Sequence, residues 1–141
     1  MTTFDQAAAT TLLQTVFAPW VQDLDLSVAR VEADSAVLRM RFSEKLCRDN
    51  GVICGQALMS LADTAMVFAV SAAAGGYLPM TTVDQTIHFL KPAKQTDLLA
   101  EARVQRIGRT MAFGSVEIRP VNDAKPVALA QTAYALMRES K

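Results

Sequence analysis

The stretch from Gly55 to Ala74 reads GQALMSLADTAMVFAVSAAA, and it decides the fold. It is long enough to cross a bilayer, but Asp63 and three hydroxyl residues interrupt it, and an ionised aspartate at a bilayer centre costs about 3 kcal/mol. A helix that is apolar on nearly all sides is normally enclosed by its own fold. Gly75 and Gly76 stop it and Pro79 keeps it from resuming. We therefore expect a buried central helix at about 55–74 in a soluble protein.

The residues before this helix predict a helix, two strands and a loop. Apolar residues recur at helical spacing over about 5–18, and Pro19 ends that amphipathic pattern. Branched residues dominate 24–31 and 36–42, and the polar residues between them indicate a hairpin turn. Residues 43–55 are polar and turn-forming, which predicts a loop leading to the central helix.

The residues after the helix predict three or four strands joined by short turns. These strands cover about 80–90, 97–107, 110–119 and 127–137. Such strands form an antiparallel sheet, whose apolar face needs a cover that the central helix supplies. The predicted class is α+β: an antiparallel sheet of five or six strands wrapped around a long central helix, with an extra N-terminal helix. We expect one domain over residues 1–141.

Composition excludes several classes of partner. Lys and Arg number 14 and Asp and Glu number 14, so there is no electrostatic case for nucleic acid or an anionic membrane. Cys47 and Cys54 have neither metal-ligand spacing nor the density of a disulfide scaffold, which indicates reduced thiols. The first twenty residues lack the positive start of a signal peptide. We expect a cytoplasmic protein, and no metal or redox cofactor is implied.

Asp63 is the candidate catalytic residue. Its sequence neighbours are apolar, and burial disfavours a charged carboxylate unless a partner stabilises the anion. At about 100° per residue, four other residues share its side of the helix: Gln56, Ser60, Val67 and Val70. The helix start near Gly55 offers free backbone N–H groups and the positive end of the helix dipole to a ligand oxygen.

These two features suit acyl transfer to water. Hydrolysis of an acyl compound needs an oxyanion site for the carbonyl oxygen and a base or nucleophile on the other side of the carbonyl carbon. Gly55 and Asp63 are the right residue types, but two helical turns separate them by about 11 Å. A two-fold dimer would place the Gly55 end of one helix near Asp63 of the other subunit. We therefore expect a homodimer with shared sites.

Several residues have a second interpretation. Asp63 fits equally a structural carboxylate capped by a helix hydroxyl or by a neighbouring strand. Cys54 is either a nucleophile at the helix start or a small packing residue. Met59 and Met66 either fill core gaps or line an acyl tunnel. The strand alternation of His88, the only histidine, predicts a surface or dimer position.

The motif around the helix start resembles a known family. Residues 51–56 (GVICGQ) followed by 58–65 (LMSLADTA) resemble the G-x-x-H-G-G…L-A-D-x-A signature of hotdog-fold thioesterases of the phenylacetic acid degradation (PaaI) type. Residues 89–93 (FLKPA) are similar to the family's F-L-R-P-A, and the likeness continues through 100–102 (AEA) and 108–109 (GR). It covers roughly 39–137.

This resemblance implies a fold, an assembly and an activity. The implied fold is an antiparallel sheet around one long helix, in dimers with a continuous sheet that often pair into homotetramers. The implied reaction is hydrolysis of an acyl- or aryl-CoA thioester to free acid and CoA, with coenzyme A present only as part of the substrate. The residue matching Asp63 is the base or nucleophile. The residue matching Gly55 donates its backbone N–H to the thioester carbonyl from the partner subunit.

Three positions depart from the family pattern. Cys54 stands where the family has histidine, Gln56 where it has a second glycine, and Arg48 where it often has an amide residue. They leave open an alternative, a catalytically weak or silent domain that binds acyl-CoA. A hotdog hydratase is disfavoured, because the loop before the helix lacks the aspartate and histidine pair that it needs.

Two further groups of residues are candidate contacts with the substrate. Eight residues at the helix and its preceding loop are expected to bind the acyl thioester: Gln56, Cys54, Arg48, Asn50, Ser60, Thr64, Met59 and Val67. Four cations at strand ends and turns are expected to bind the phosphates of coenzyme A: Lys91, Arg109, Lys94 and Arg106.

Overall fold

The structure, a computed structural model, describes residues 4–138. It begins with two helices, α1 (Gln6–Thr15) and the single turn α2 (Pro19–Gln22). Asp5 caps α1, because its side chain accepts a hydrogen bond of 2.9 Å from a backbone N–H of the first turn. The predicted helix at 5–18 ends earlier than expected, since Pro19 holds Ala18 in an extended conformation (φ −57°, ψ 152°) and starts the second helix itself.

All six predicted strands are present. They are β1 (Leu26–Val31), β2 (Ser35–Met40), β3 (Met80–Phe89), β4 (Leu98–Ile107), β5 (Met111–Pro120) and β6 (Ala128–Leu136). They form one sheet in the order β1-β2-β4-β5-β6-β3, and every neighbouring pair is antiparallel. Strand ends differ from the predicted ones by one or two residues. β1 starts late because Asp25 has a left-handed backbone (φ 58°) that a strand cannot include.

The central helix, α3 (Gly55–Ala74), has the bounds that the sequence predicts, and Gly75 ends it with φ 79°. The sheet wraps around it, and the core lies between the helix and the inner sheet face, joined by Leu12 and Leu13 of α1. By length and mean hydropathy (1.6) α3 would pass as a membrane span, yet 67% of that apolar window is buried inside the protein. The prediction of an enclosed core helix, and with it the α+β fold, is confirmed.

The loop before α3 is less irregular than its composition suggested. It contains two short 3-10 turns, Glu44–Leu46 and Asp49–Gly51. Isolated bridges join Cys47 to Ile53 and Val52 to Lys94, and the Cys54 N–H donates to the Leu46 carbonyl at 2.8 Å. The start of α3 is therefore held in place by backbone hydrogen bonds on both sides of the loop.

Strand β3 is an exposed edge with a bulge. Among the described residues it pairs only with β6. The register shifts between Thr82, opposite Tyr134, and Asp84, opposite Ala133, so Val83 is the extra residue. Residues three apart in a strand normally face opposite sides, but the extra residue reverses this alternation. Thr82 and Gln85 therefore both face α3.

We expect Gly114→Ala to lower the free energy of unfolding by about 1–3 kcal/mol. A Cβ at Gly114 would lie 2.5 Å from the Arg103 carbonyl oxygen and 2.6 Å from Met66 Cε, so the sheet and the helix would have to separate locally. Urea unfolding measures the change. Gly108→Ala is the matched control, because its nearest contact would be an ordinary 3.6 Å. Equal stability of the two variants would contradict the close packing of β5 against α3.

Candidate active site

Asp63 lies on the half-buried side of α3, where the sheet leaves the helix partly uncovered. Its side chain faces a cavity of 290 Å³ between α2, α3 and β3. The other residues that line this cavity are Trp20, Val21, Met59, Ser60, Thr64, Thr82 and Gln85. A partly exposed carboxylate beside a cavity is accessible to a small molecule.

Two strands hold one oxygen of this carboxylate. Thr82 Oγ1 on β3 donates to Asp63 Oδ1 at 2.7 Å, and the Tyr134 hydroxyl on β6 makes a short hydrogen bond to the same oxygen. The Tyr134 hydroxyl also lies 2.6 Å from the Asp63 main-chain carbonyl oxygen. Asp63 Oδ2 makes no hydrogen bond to any residue in the described range 4–138. One carboxylate oxygen is thus fixed, and the other is available to a ligand.

Tyr134 is buried under Asp63, with 1% of its surface exposed. Burial raises the pKa of the Tyr134 hydroxyl above its usual value, and the adjacent Asp63 charge and hydrogen bond raise it further. Tyr134 therefore stays protonated at neutral pH and serves as a permanent hydrogen-bond donor.

The helix hydroxyls do not cap Asp63. Ser60 Oγ donates to the Gln56 carbonyl at 2.8 Å, and Thr64 Oγ1 donates to the Ser60 carbonyl at 2.7 Å. Of the structural alternatives, the neighbouring strand is the one that supplies the partners. The carboxylate nevertheless lies beside a cavity, and a purely structural role does not account for that cavity.

Gln85 adds an unsatisfied acceptor to the same region. Its Nε2 donates to the Met59 carbonyl at 3.1 Å, which fixes the orientation of the amide. Its buried Oε1 accepts no hydrogen bond from the described residues. Thr132 Oγ1, directly opposite Gln85 on β6, likewise has no hydrogen-bond partner among them. A polar strip therefore crosses the otherwise apolar inner face of the sheet beside Asp63.

The start of α3 forms a separate opening, a groove of 400 Å³. The backbone hydrogen bonds there use the N–H groups of Cys54, Ala57 and Leu58, so those of Gly55 and Gln56 point out of the helix end. A Cβ at Gly55 would lie 3.2 Å from the Phe89 ring. The groove is lined by Arg48, Val52, Ile53, Gly55, Leu58, Phe89, Leu90, Lys91, Pro92 and Ala93.

The structure distributes the predicted substrate contacts over both openings. Met59, Ser60 and Thr64 line the cavity at Asp63, and Arg48 lines the groove. Four residues line neither: Gln56 is exposed at the helix start, Cys54 is the half-buried N-cap, Asn50 is exposed in a 3-10 turn, and Val67 lies one turn beyond Asp63. Arg48 pairs with Asp49 at 3.1 Å on the surface. The two methionines of α3 differ in position: Met59 lines the cavity at Asp63, whereas Met66 is fully buried in the core.

The predicted phosphate ligands fall into two pairs. Lys91 and Lys94 precede β4 near the groove, and Lys91 pairs with Asp123 at 3.3 Å. Arg106 and Arg109 lie at the other end of β4, about 30 Å along a ten-residue strand. A single chain therefore does not bring all four cations together. His88 is exposed on the outer sheet face, as its alternation predicts.

Five residues of the Asp63 cavity region were not predicted: Trp20, Val21, Thr82, Gln85 and Tyr134. Trp20 is 59% exposed. Its position could have been predicted, because Pro19 is a favourable first residue of a helical turn and Trp20 follows it directly. For Thr82 and Gln85 no signal existed, since a regular strand would separate their directions. Tyr134 lies 71 residues from Asp63 in the chain.

Comparison with solved structures gives the same architecture. The E. coli PaaI protein from the phenylacetic acid degradation operon has a TM-score of 0.82 and 23% identity, covering 94% of this chain and 92% of that one. Zebrafish thioesterase superfamily member 2 has a TM-score of 0.83 and 22% identity, and the match covers 94% of this chain and 99% of that one. A Haemophilus influenzae thioesterase has a TM-score of 0.84 and 18% identity, and the match covers 96% of this chain and 92% of that one. At these identities the likeness establishes the fold.

Sequence comparison supplies the family. Among curated protein sequences, none matches this chain significantly. A family model for the thioesterase superfamily matches residues 50–127, which is more than half of the chain and includes both Gly55 and Asp63. With its six-stranded sheet around one long helix, the chain belongs to the thioesterase superfamily and has the hotdog fold of PaaI-like members.

Proposed function

We propose that the protein hydrolyses an acyl- or aryl-CoA thioester to the free acid and CoA, with Asp63 as base or nucleophile. The observation that carries the proposal is the Asp63 carboxylate, whose Oδ1 is held by two donors while Oδ2 is free beside a cavity. Superfamily membership supports thioester chemistry. The acyl-CoA class and the roles of single residues belong to the proposal.

The proposed active site is shared between two subunits. Gly55 and Asp63 are eight residues apart on one helix, about 12 Å, and they open into cavities with no common residue. β3 contributes Phe89 to one opening and Thr82 to the other. One edge of β3 pairs with β6, and the opposite edge has no strand partner among residues 4–138. Antiparallel pairing of two β3 edges would bring the Phe89 end of one strand to the Thr82 end of the other.

The proposed chemistry follows from this pairing. The partner's helix start would hold the thioester carbonyl oxygen through the backbone N–H of Gly55, and the helix dipole would stabilise the oxyanion. As a base, Asp63 Oδ2 takes a proton from water while the water oxygen attacks the carbonyl carbon. As a nucleophile, it attacks that carbon itself and gives an anhydride that water then opens. In both routes the C–S bond breaks, and the CoA thiolate leaves and takes up a proton.

The substrate contacts divide between the two openings. Trp20, Val21 and Met59 form an apolar wall beside Asp63, and we propose that the acyl or aryl group packs against it. Lys91 and Lys94 near one groove, and Arg106 and Arg109 from elsewhere in the assembly, are the proposed contacts for the phosphates of CoA. We further propose a cytoplasmic homodimer that pairs into a homotetramer, as in PaaI-type enzymes of phenylacetic acid degradation.

A second candidate function is binding of acyl-CoA with little or no turnover. The observation that favours it is the helix start, where the exposed Gln56 side chain adjoins the proposed oxyanion site and Cys54 takes the N-cap without a side-chain capping bond. A glutamine crowds a position where glycine would let the thioester approach. Binding of a CoA thioester without release of thiol would favour this candidate.

We expect Asp63→Asn to reduce kcat by about 10²–10⁴-fold, because an amide cannot take the proton or attack. The shape and the acceptor oxygen for Thr82 and Tyr134 remain. Thiol release from a panel of acetyl-, octanoyl- and phenylacetyl-CoA measures the effect. The matched control is Asp25→Asn, an exposed site outside both openings whose left-handed backbone suits asparagine. Unchanged turnover in Asp63→Asn would refute the proposed function.

We expect a mixture of Asp63→Asn and Gly55→Pro subunits to regain activity that neither variant has alone. Proline is compatible with the first helical position, where it removes the N–H, and Cys54 before it is already extended (φ −70°, ψ 153°). The proline Cβ would lie 3.2 Å from the Phe89 ring, so the ring has to move by a few tenths of an ångström. Random pairing leaves one intact site in half of the dimers, so about a quarter of wild-type activity returns. Two affinity tags identify the mixed dimers. Mixed dimers without activity would contradict shared sites.

We expect Trp20→Ala to lower kcat/KM for phenylacetyl-CoA and octanoyl-CoA by about tenfold, because losing an apolar contact with the acyl group raises the transition-state free energy by about 1–3 kcal/mol. With acetyl-CoA, whose acyl group is too short to reach the tryptophan, we expect less than about a twofold change. Val16→Ala is the control, because Val16 is also exposed but does not line the cavity. An equal loss for all three substrates would place the acyl group elsewhere.

A further inference from the structure

We infer that Tyr134 is a positioning residue for the reaction proposed above: its buried hydroxyl holds Asp63 Oδ1 so that Oδ2 faces the thioester. The inference rests on the proposed function, because it assigns Tyr134 a role through Asp63. It concerns a residue on the last strand, 71 positions away from Asp63 in the sequence. Tyr134 lies below the cavity and does not line it.

The geometry fixes the rotation of the carboxylate. Thr82 and Tyr134 are direct cross-strand partners, so their hydroxyls approach Asp63 Oδ1 from neighbouring strands. A half-buried aspartate without such donors would be free to turn its side chain about two bonds. With both donors on one oxygen, rotation breaks two hydrogen bonds at once. Oδ2 is therefore kept in a single orientation toward the cavity.

The Tyr134 hydroxyl stays a donor near neutral pH. Burial and the adjacent Asp63 charge raise the pKa of Tyr134, so the phenol keeps its proton there. Removing the hydroxyl takes away one of the two donors on Asp63 Oδ1 and leaves the carboxylate freer to turn. We therefore expect the loss to affect the orientation of the reacting group.

The test is Tyr134→Phe, which keeps the ring and removes the hydroxyl. We expect kcat to fall by about tenfold or more with KM changed less than about twofold, because the interaction orients the reacting group and not the substrate. Tyr77→Phe, an exposed tyrosine outside the site, is the matched control.

Dividing kcat by the folded fraction, measured by circular dichroism, keeps the test valid if Tyr134→Phe is partly unfolded. Thr82→Val removes the other donor and should lower kcat with little change in KM, while Thr82→Ser should restore kcat. A KM that changes as much as kcat in Tyr134→Phe would overturn the inference and leave Tyr134 as a packing residue. Wild-type kinetics in Tyr134→Phe would overturn it as well. If Asp63→Asn stays active, the proposed function itself fails.

Discussion

A single carboxylate on an otherwise enclosed helix constrains the structure around it. α3 is buried along most of its length, and its apolar side chains need only a sheet to cover them. Asp63 needs more, because a carboxylate withdrawn from water requires hydrogen-bond donors. The sheet meets this need with Thr82 and Tyr134 on the two strands where it curls past the helix. The strands β3 and β6 therefore do more than cover the core.

The bulge in β3 links the candidate site to the sheet edge. If β3 were regular, with no bulge at Val83, Thr82 and Gln85 would face opposite sides of the sheet, and one of the two would be lost to the site. Val83 is 59% exposed at an edge with free backbone groups. Pairing of two such edges, as proposed, would bury Val83 and protect the strands that hold the carboxylate. Assembly and site geometry would then depend on one local irregularity.

The sequence predicted the elements that local signals encode. Both ends of α3 came out correctly because glycines flank an apolar run, and Gly75 does adopt the left-handed backbone that such a cap requires. Asp63 stood out as a lone charge in that run. Its partners Thr82 and Tyr134 could not be predicted, because they lie 19 and 71 residues away in the chain. Their position beside Asp63 depends on the strand order and on a bulge, and no local sequence pattern predicts either. Val70, placed on the polar side by helical spacing, is buried because the sheet encloses the last turns of the helix more fully than the first.

The division of the two openings has a consequence for how such a protein is controlled. One subunit carries a held carboxylate in one cavity and a helix start with free N–H groups in another, about 12 Å apart along the helix. Neither opening alone has both the oxyanion donor and the base that hydrolysis needs. If the proposed pairing of β3 edges completes the site, a dissociated subunit still binds parts of a thioester but cannot cleave it. Dimerisation would then be the step that turns a binding surface into a catalyst, and the exposed, bulged edge of β3 would serve that assembly.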